Sequence, residues 1–397
     1  MSTKKPMTPR ECYKRIALFQ KADYIPNFEG GIAPVTVAKW KREGLPEDVT
    51  DIRAFFGIDQ LEIHRGISYN PYPGHPRHFT DLPQTEDWNQ GIDTWGRHGR
   101  WHKKKDVEEN WADAAFEVVQ GALEDPADWE ILKDMFKPDI EERYGDHRKK
   151  NPWPEFVERS KDHEHVLVLE APSMVGSIKE FLGFENYCLK LCTNPDMIEE
   201  IMEKRTVLAM EILDRALEEV DFDFMWFWED IGYRNGPILS PEIFERLASP
   251  RYKRLADWYR SRGGEIVAVD SDGDVNKLIP GWIKGGINHI WPLEVFAGMD
   301  VVGLRKEYGQ DFSMRGGFDK FVIQQGKDAI DRELDRIYPV VQDGGYIPGC
   351  DHQLPHAPFE NYCYYQEQKH KMLGTRPTYN REEAPSPAWD PAMAAGR

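Results

Sequence analysis

Apolar segments of strand length recur along the chain, separated by segments in which apolar side chains return every three or four positions. Segments that are apolar on both faces are typical of strands buried in a parallel sheet. Apolar side chains that return every three or four positions are typical of amphipathic helices. Seven such strands are predicted, near residues 24–28, 166–170, 223–228, 265–270, 287–291, 312–316 and 344–348. Their alternation with helices predicts an α/β protein built on a parallel sheet.

Two of the predicted helices begin with clear sequence signals. Ser240 followed by Pro241 predicts an N-cap and a first helical turn, because the N–H that proline lacks is not needed there. Asn194 before Pro195 predicts a cap and the start of a long helix that continues to about residue 220.

The predicted architecture is a (β/α)8 TIM barrel with hairpin and helical decorations near the N-terminus. Residues 60–115 have room for the eighth strand, and their prolines, glycines and short alternating segments also predict antiparallel hairpins. A doubly wound open sheet is the alternative, but it usually carries a Gly-x-Gly-x-x-Gly loop, which is not present. We expect one barrel domain over residues 1–374, with an irregular insertion at about 60–125, and an extended or disordered tail over 375–397.

Composition narrows the range of partners. The 397 residues carry a net charge of −18, so nucleic acid and anionic membrane surfaces are poor partners. No stretch approaches the roughly 18 apolar residues of a membrane span, and no apolar run follows the N-terminal lysines as it would in a signal peptide. Five cysteines without regular spacing suit a reducing compartment. We therefore expect a cytoplasmic protein with a small-molecule substrate, and a homodimer is an open alternative to a monomer.

Side chains with catalytic or ligating capacity follow several of the predicted strands. In enzymes built on parallel strands, chemistry lies at the carboxyl ends of the strands, where side chains open into a cleft. The candidates are Glu229 after the run Trp226-Phe227-Trp228, Asp270 and Asp272 at the next strand end, Glu294 after the strand near 287–291, and Cys350, Asp351 and His352 after the last strand. We expect four of them to face one cavity: Glu229, Asp270, Asp272 and His352.

Each candidate has a role that fits its chemistry. A carboxylate against aromatic walls has a raised pKa, which suits Glu229 to general acid catalysis, and Asp270 and His352 are the other catalytic candidates. Converging oxygen, sulfur and nitrogen donors can hold Zn²⁺ or another divalent metal, and the predicted ligands are Asp270, Asp272, Cys350 and His352. The predicted substrate-binding residues at these strand ends are Trp226, Trp228, Glu294 and Asp351.

Structural roles are the alternative for the same side chains. Asp270 can form a turn with its own backbone, and Asp351 and His352 can pair with each other and lock their loop. Large aromatic rings can also simply fill the core.

The sequence resembles the uroporphyrinogen decarboxylase superfamily over most of its length. The resemblance lies in these segments: Arg15–Pro26, Trp228–Pro241, Val269–Gly273, Trp291–Glu294, Gly316–Lys320, Gly344–Pro348, and Asp351–His352 with Asn361. It implies a (β/α)8 barrel whose cleft lies at the C-terminal ends of the strands.

The superfamily has two arms, and the chain differs from both in particular residues. The decarboxylase arm carries carboxylate-binding arginines just after the first strand, whereas this chain has Glu29 there. One like-charge contact at about 4 Å costs about 4 kcal/mol, so a polycarboxylate is disfavoured, and Glu29 becomes a substrate-binding candidate. The other arm consists of zinc-dependent methyltransferases with a His-x-Cys pair and a later Cys. Asp270 and Asp272 stand at the pair and Cys350 at the later position.

The expected function is methyl transfer. The resemblance implies transfer of a methyl group from a small methoxylated or methylated compound to a corrinoid (cobalamin) on a partner protein, in the manner of an O-demethylase. A metal would act as a Lewis acid on the ether oxygen, and no nucleotide cofactor is expected. Two alternatives stay open: a decarboxylase or other lyase acting on a small carboxylic acid, and a noncatalytic barrel that binds a ligand.

Overall fold

In the computed structural model, the described residues are 6–64, 66–70, 85–92, 97–103, 117–145, 152–354 and 357–375. Twelve strands lie within these ranges: β1 (Leu61–His64), β2 (Trp88–Ile92), β3 (His98–His102), β4 (Glu117–Gln120), β5 (Val166–Ala171), β6 (Phe224–Trp228), β7 (Gly232–Tyr233), β8 (Gly236–Pro237), β9 (Val267–Asp270), β10 (His289–Trp291), β11 (Ser313–Phe318) and β12 (Tyr346–Cys350).

Sixteen α-helices lie in the same part of the chain: α1 (Pro9–Ala17), α2 (Pro34–Glu43), α3 (Ile52–Phe56), α4 (Pro126–Leu132), α5 (Ile140–Arg143), α6 (Trp153–Arg159), α7 (Gly176–Leu182), α8 (Phe184–Thr193), α9 (Pro195–Glu219), α10 (Pro241–Leu247), α11 (Ser249–Arg260), α12 (Ile279–Lys284), α13 (Val301–Tyr308), α14 (Val322–Gln325), α15 (Lys327–Asp343) and α16 (Phe359–Leu373). Helix α10 starts as predicted, with the Ser240 hydroxyl accepting from the Ile243 N–H. Asn194 precedes α9, but its side chain makes no capping bond, so that part of the prediction is wrong.

The main sheet has seven parallel strands in the order β1-β5-β6-β9-β10-β11-β12. Six of the seven predicted strands are confirmed, and β1 is the additional strand within the irregular region. Each strand lies beside the next main-sheet strand along the chain, with helices between, as in the (β/α) repeat of a barrel. The sheet is a parallel half-barrel surrounded by helices, and no hydrogen-bonded ladder joins β12 to β1 among the described residues.

The predicted strand at residues 24–28 is wrong: this segment is irregular. It nevertheless lies between β12 and β1, because Asn27 O accepts from the Asp59 N–H just before β1, and Gly31 O accepts from the Leu354 N–H just after β12. Pro26 has no N–H to give to a ladder, which is a physical reason for the irregular course. The segment therefore occupies the place of an eighth strand without being one.

Alternation along the strands divides the core into two clusters. The side chains on one face of each strand pack against the helices, as Met225 and Phe227 of β6 do. The other set fills the concave side of the sheet, as Phe224 and Trp226 do. This is the period of two expected for strands that are buried on both faces.

Helix α1 covers the amino-terminal end of the concave side. Its Tyr13 is fully buried, stacks on Phe224 at the start of β6 with ring centroids 5.4 Å apart, and lies 2.7 Å from Nε2 of His289 at the start of β10. The concave side is thereby closed at one end, and the opposite end, where the strands finish, is left for a cleft.

The decorating elements agree with the predicted hairpins. Strands β2, β3 and β4 form an antiparallel sheet within the region 60–125. The predicted tail covers residues 375–397, and all of it after residue 375 lies outside the described residues. Within the described part of the chain, no helix combines the length and the apolar character needed to cross a membrane.

Candidate functional site

The carboxyl ends of β9 and β12 bring an acid and an imidazole together. Asp272 lies two residues after β9 and His352 lies two residues after β12, and His352 Nε2 is 3.1 Å from Asp272 Oδ2. Both side chains are partly exposed, so the pair opens to solvent. The hydrogen bond with Asp272 raises the pKa of His352, against the opposing effect of burial. The pair thus favours an imidazolium near neutral pH, which can act as a proton donor.

Lys320 links the loops beneath this pair. Its Nζ donates to Glu294 Oε1 at 3.2 Å and lies 3.5 Å from Asp351 Oδ1. Glu294 Oε2 accepts in turn from the Gly273 N–H at 2.9 Å. Glu294 thus joins Lys320 to the residue after Asp272. Asp351, the residue before His352, lies against the same lysine, so these contacts fix the distance between Asp272 and His352.

Asp351 is the most buried member of this network. Its side chain is fully buried, and its Oδ2 accepts from the Val295 N–H at 2.8 Å. Burial raises the pKa of Asp351 to about 6, against the opposing charge of Lys320. The structural alternative of an Asp351–His352 pair is wrong, because Asp351 is directed to Lys320 and His352 to Asp272.

A second layer of side chains lies deeper on the concave side. Asp270 Oδ2 accepts from Trp291 Nε1 at 2.7 Å, so the carboxylate is anchored to the edge of an indole. Trp226 is fully buried and stacks on Trp291 with parallel rings 6.2 Å apart, whereas Trp228 is partly buried and borders the same cluster. Of the two predicted wall residues, only Trp228 is within reach of a ligand that enters from the strand ends.

Two non-glycine residues beside the pair have left-handed backbone conformations. Asp230 has φ 46° and Leu293 has φ 62°. Such conformations cost about 1–3 kcal/mol and collect at functional sites. Burial raises the pKa of Asp230, and the nearby charge of Asp272 raises it further, although Lys179 opposes both. The strained loops and crowded carboxylates make this end of the sheet the candidate site.

Glu229 does not join this cluster. It is fully buried, and its two oxygens accept from the N–H groups of Met174, Val175 and Gly176 and from the Tyr252 hydroxyl. The structure therefore places this predicted catalytic residue at the start of α7, on the helix side of the sheet. The reason is strand alternation, because Glu229 continues the side of Met225 and Phe227.

Glu29 and Cys350 are also directed away from the pair. Glu29 forms a buried ion pair with Lys369, with 2.6 Å between Oε1 and Nζ, and its Oε2 accepts from the Cys350 N–H. Burial raises the pKa of the Cys350 thiol well above its usual value. These two predicted site residues belong to the packing between β12, α16 and the segment before β1.

The donor set does not fit a metal site within the described part of the chain. No three His, Cys, Asp or Glu side chains converge there. Of the four predicted ligands, Asp272 and His352 meet each other, Asp270 is engaged by Trp291, and Cys350 is buried as a neutral thiol. A tight metal site needs three or four converging donors.

Sequence reasoning missed two residues of this region, Lys320 and Arg315. Lys320 was within reach, because it follows the strand predicted near 312–316 by four residues, at the same end as the other candidates. Arg315 was also within reach, because a charge two residues after Ser313 in a buried strand must share the face of that residue. Neither residue offers the acid or ligand chemistry by which the candidates were selected.

Comparison with known proteins supports the fold. No protein-family model matches the sequence, and no curated protein matches it either. Among solved structures, the chain is similar to a methyltransferase from Methanosarcina mazei, with a TM-score of 0.52 and 11% sequence identity. The match covers 92% of this chain and 99% of that chain. At this identity the likeness concerns the fold alone, and it extends over nearly the whole of both chains.

Proposed function

We propose that this protein is a methyl-transfer enzyme that removes a methyl group from a small methoxylated or methylated compound and passes it to a corrinoid on a partner protein. The choice of methyl transfer is supported by the fold shared with a methyltransferase over 92% of the chain. The choice of site is supported by the Asp272–His352 pair at the carboxyl ends of the strands.

The chemical task of the chain is to supply a proton to the leaving group. When the bond between the methyl carbon and oxygen breaks, both electrons of the bond stay on the oxygen. An imidazolium at His352 can give this oxygen its proton, and Asp272 stabilises the charged form before transfer. Among the described residues nothing binds Nδ1 of His352, so this N–H is available to a substrate.

A corrinoid would supply the nucleophile that accepts the methyl group. We propose that the corrinoid is bound to a partner protein, and the rim of the cleft has a surface suited to contact with that protein. Tyr233 and Phe296, which follow β6 and β10, are more than half exposed, and the Arg234 guanidinium lies 4.7 Å from the Phe296 ring centroid. Exposed aromatic and arginine side chains are enriched at protein interfaces.

The proposal is tested with free cob(I)alamin as methyl acceptor. The parent protein is incubated with a panel of methoxyphenols, methoxybenzoates and methylated amines, and methylcobalamin is followed by its absorption spectrum. We expect methylcobalamin with at least one donor. We expect His352→Ala to lower the rate by about 10²-fold or more, as for loss of a general acid.

His165→Ala is the matched control. His165 also lies within 3.1 Å of a carboxylate, that of Glu62, but it precedes β5 at the opposite end of the sheet. We expect its rate to equal that of the parent. Release of CO2 from carboxylic acids without methylcobalamin formation would favour the decarboxylase alternative, and an active His352→Ala would remove the proposed proton donor.

A further inference from the structure

Arg315 places a positive charge on the concave side of the sheet. In the register of β11 and β12, Arg315 lies beside Ile347, whose side chain belongs to the concave cluster. The guanidinium carbon is 4.2 Å from the ring centroid of Trp291 and 6.0 Å from that of Phe28. The cation therefore lies over the indole that Asp270 holds by its edge.

Arg315 has no carboxylate partner within the described ranges. Several other buried or half-buried arginines are paired with acids: Arg10 with Asp221 and Asp223, Arg305 with Asp343, and Arg336 with Glu333 and Asp300. The buried Arg205 instead donates to Tyr69 O and to the Ser177 hydroxyl. Asp270, which ends β9 on the same side of the sheet, accepts from Trp291 Nε1. The Tyr13 hydroxyl is a hydrogen-bond neighbour of Arg315, but a guanidinium has five N–H donors, so donors remain for a ligand.

The groups below Arg315 do not neutralise it. Burial raises the pKa of Tyr13 to about 12, although Arg315 opposes this, so the phenol is neutral. Burial, and then the charge of Arg315, lower the pKa of His289 to about 3, so the imidazole is neutral as well. Arg315 is partly exposed, and because α1 closes the amino-terminal end, its access to solvent is from the cleft.

We infer that Arg315 binds the carboxylate of the substrate, and that the substrate is a small monocarboxylate with a flat apolar body. The guanidinium fork matches the two oxygens of a carboxylate. The half-buried Trp228 supplies apolar surface on the same side of the sheet, and the buried Trp291 and Phe28 hold the guanidinium in place. Neither the sequence pattern nor the fold likeness assigns a role to Arg315.

The acids at the mouth favour a monoanion over a dianion. Asp272 and Glu294 are partly exposed at the entrance, Asp351 is buried beneath them, and among the described residues Lys320 is the only cation in contact with Glu294 and Asp351. These acids would repel a phosphate with two negative charges more strongly than a carboxylate with one. The inference rests on the proposed function only for the location of the substrate.

The inference is tested by calorimetric titration with benzoate at pH 8. We expect saturable binding to the parent, about 10- to 100-fold weaker binding to Arg315→Met, and intermediate binding to Arg315→Lys, which keeps the charge but loses the fork. Benzamide, a neutral molecule of the same shape, should bind the parent at least about tenfold more weakly than benzoate. Phenyl phosphate should also bind more weakly than benzoate.

Arg254→Met is the matched control, because Arg254 is a half-exposed arginine on α11 that pairs with Glu203. It should bind benzoate as the parent does. Absence of benzoate binding to the parent, equal binding by Arg315→Met, or preference for benzamide would overturn the inference, and preference for phenyl phosphate would overturn the monocarboxylate class. Urea unfolding of Arg315→Met should show stability equal to the parent, and a large loss would mean that stacking on Trp291 is its role. A parent that binds benzoate through Arg315 but transfers no methyl group would contradict the proposed function alone.

Discussion

At the scale of single residues, the site depends on the contact between Asp272 and His352. Each residue follows a different strand, and each is separated from its strand by one residue. The contact keeps a proton on an imidazole that is partly buried, where burial alone would favour the neutral form. Asp272 is thus a positioning residue that sets the protonation of His352.

The first prediction is that Asp272→Asn lowers the pKa of His352. The folded pKa is raised above its unfolded value of about 6.5, so the pair stabilises the fold fully below that pH, and this stabilisation is lost as pH rises through the folded pKa. NMR titration of the His352 ring in parent and variant measures the shift. The alkaline limb of the activity profile should move to lower pH in parallel. An unchanged His352 titration would show that Asp272 does not hold the proton.

At the scale of elements, the end of β6 and the start of α7 are joined through Glu229. Three backbone N–H groups at the start of α7 point to one carboxylate, as is typical of the unsatisfied donors at a helix N-terminus. Gly176 allows the close approach, since a Cβ there would collide with the backbone carbonyl of Glu229. The aromatic strand before Glu229 predicted a catalytic acid. The buried carboxylate instead connects the end of β6 to the start of α7.

The second prediction is that Glu229→Gln destabilises the fold without removing substrate binding. The amide group of Gln turns a donor toward one of the N–H groups or toward Tyr252, so we expect the free energy of unfolding to fall by about 2–3 kcal/mol. Urea unfolding measures the loss, and benzoate titration of the folded variant measures binding. Tyr252→Phe, which removes one of the four donors, should show a smaller loss. A stable Glu229→Gln that cannot transfer methyl groups would restore Glu229 as a catalytic residue.

At the scale of the whole molecule, the irregular segment that contains Phe28 and Glu29 is bound to helix α16. Glu29 and Lys369 are almost fully buried, and Lys369 also donates to Phe28 O at 2.8 Å. Glu29 accepts as well from Gln366 Nε2 and from the Cys350 N–H. These contacts hold the irregular segment between the first and last strands of the sheet, in place of a strand ladder.

The third prediction concerns this buried ion pair. Lys369→Met leaves the Glu29 carboxylate buried without its cation, so we expect a loss of about 3–5 kcal/mol in the free energy of unfolding. Glu29→Gln combined with Lys369→Met should recover part of the loss, because no unpaired charge remains. Urea unfolding of the parent, both single variants and the double variant gives the coupling energy. Additive losses would show that the two side chains act independently, and the segment is then held by its backbone contacts.

Six of the main-sheet strands were predictable because their signal is local. A strand that is buried on both faces must be apolar over its whole length, and the helix that follows must show its own period. The strand at 24–28 was mispredicted for the same reason, since an apolar segment next to Pro26 fills the core without pairing. The decorating hairpins were predictable from their turns and alternation.

The sequence alone thus determined the parallel α/β architecture and the end of the sheet at which the candidate residues lie, because both depend on the order of elements along the chain. Only the tertiary structure decided which of the polar residues there meet. Asp272, Lys320 and His352 are far apart in sequence, and the register of β9, β11 and β12 brings their loops together. Strand alternation groups residues by face, but only the tertiary structure decided which face packs on the helices, and this placed Glu229 against α7 and Arg315 on the concave side.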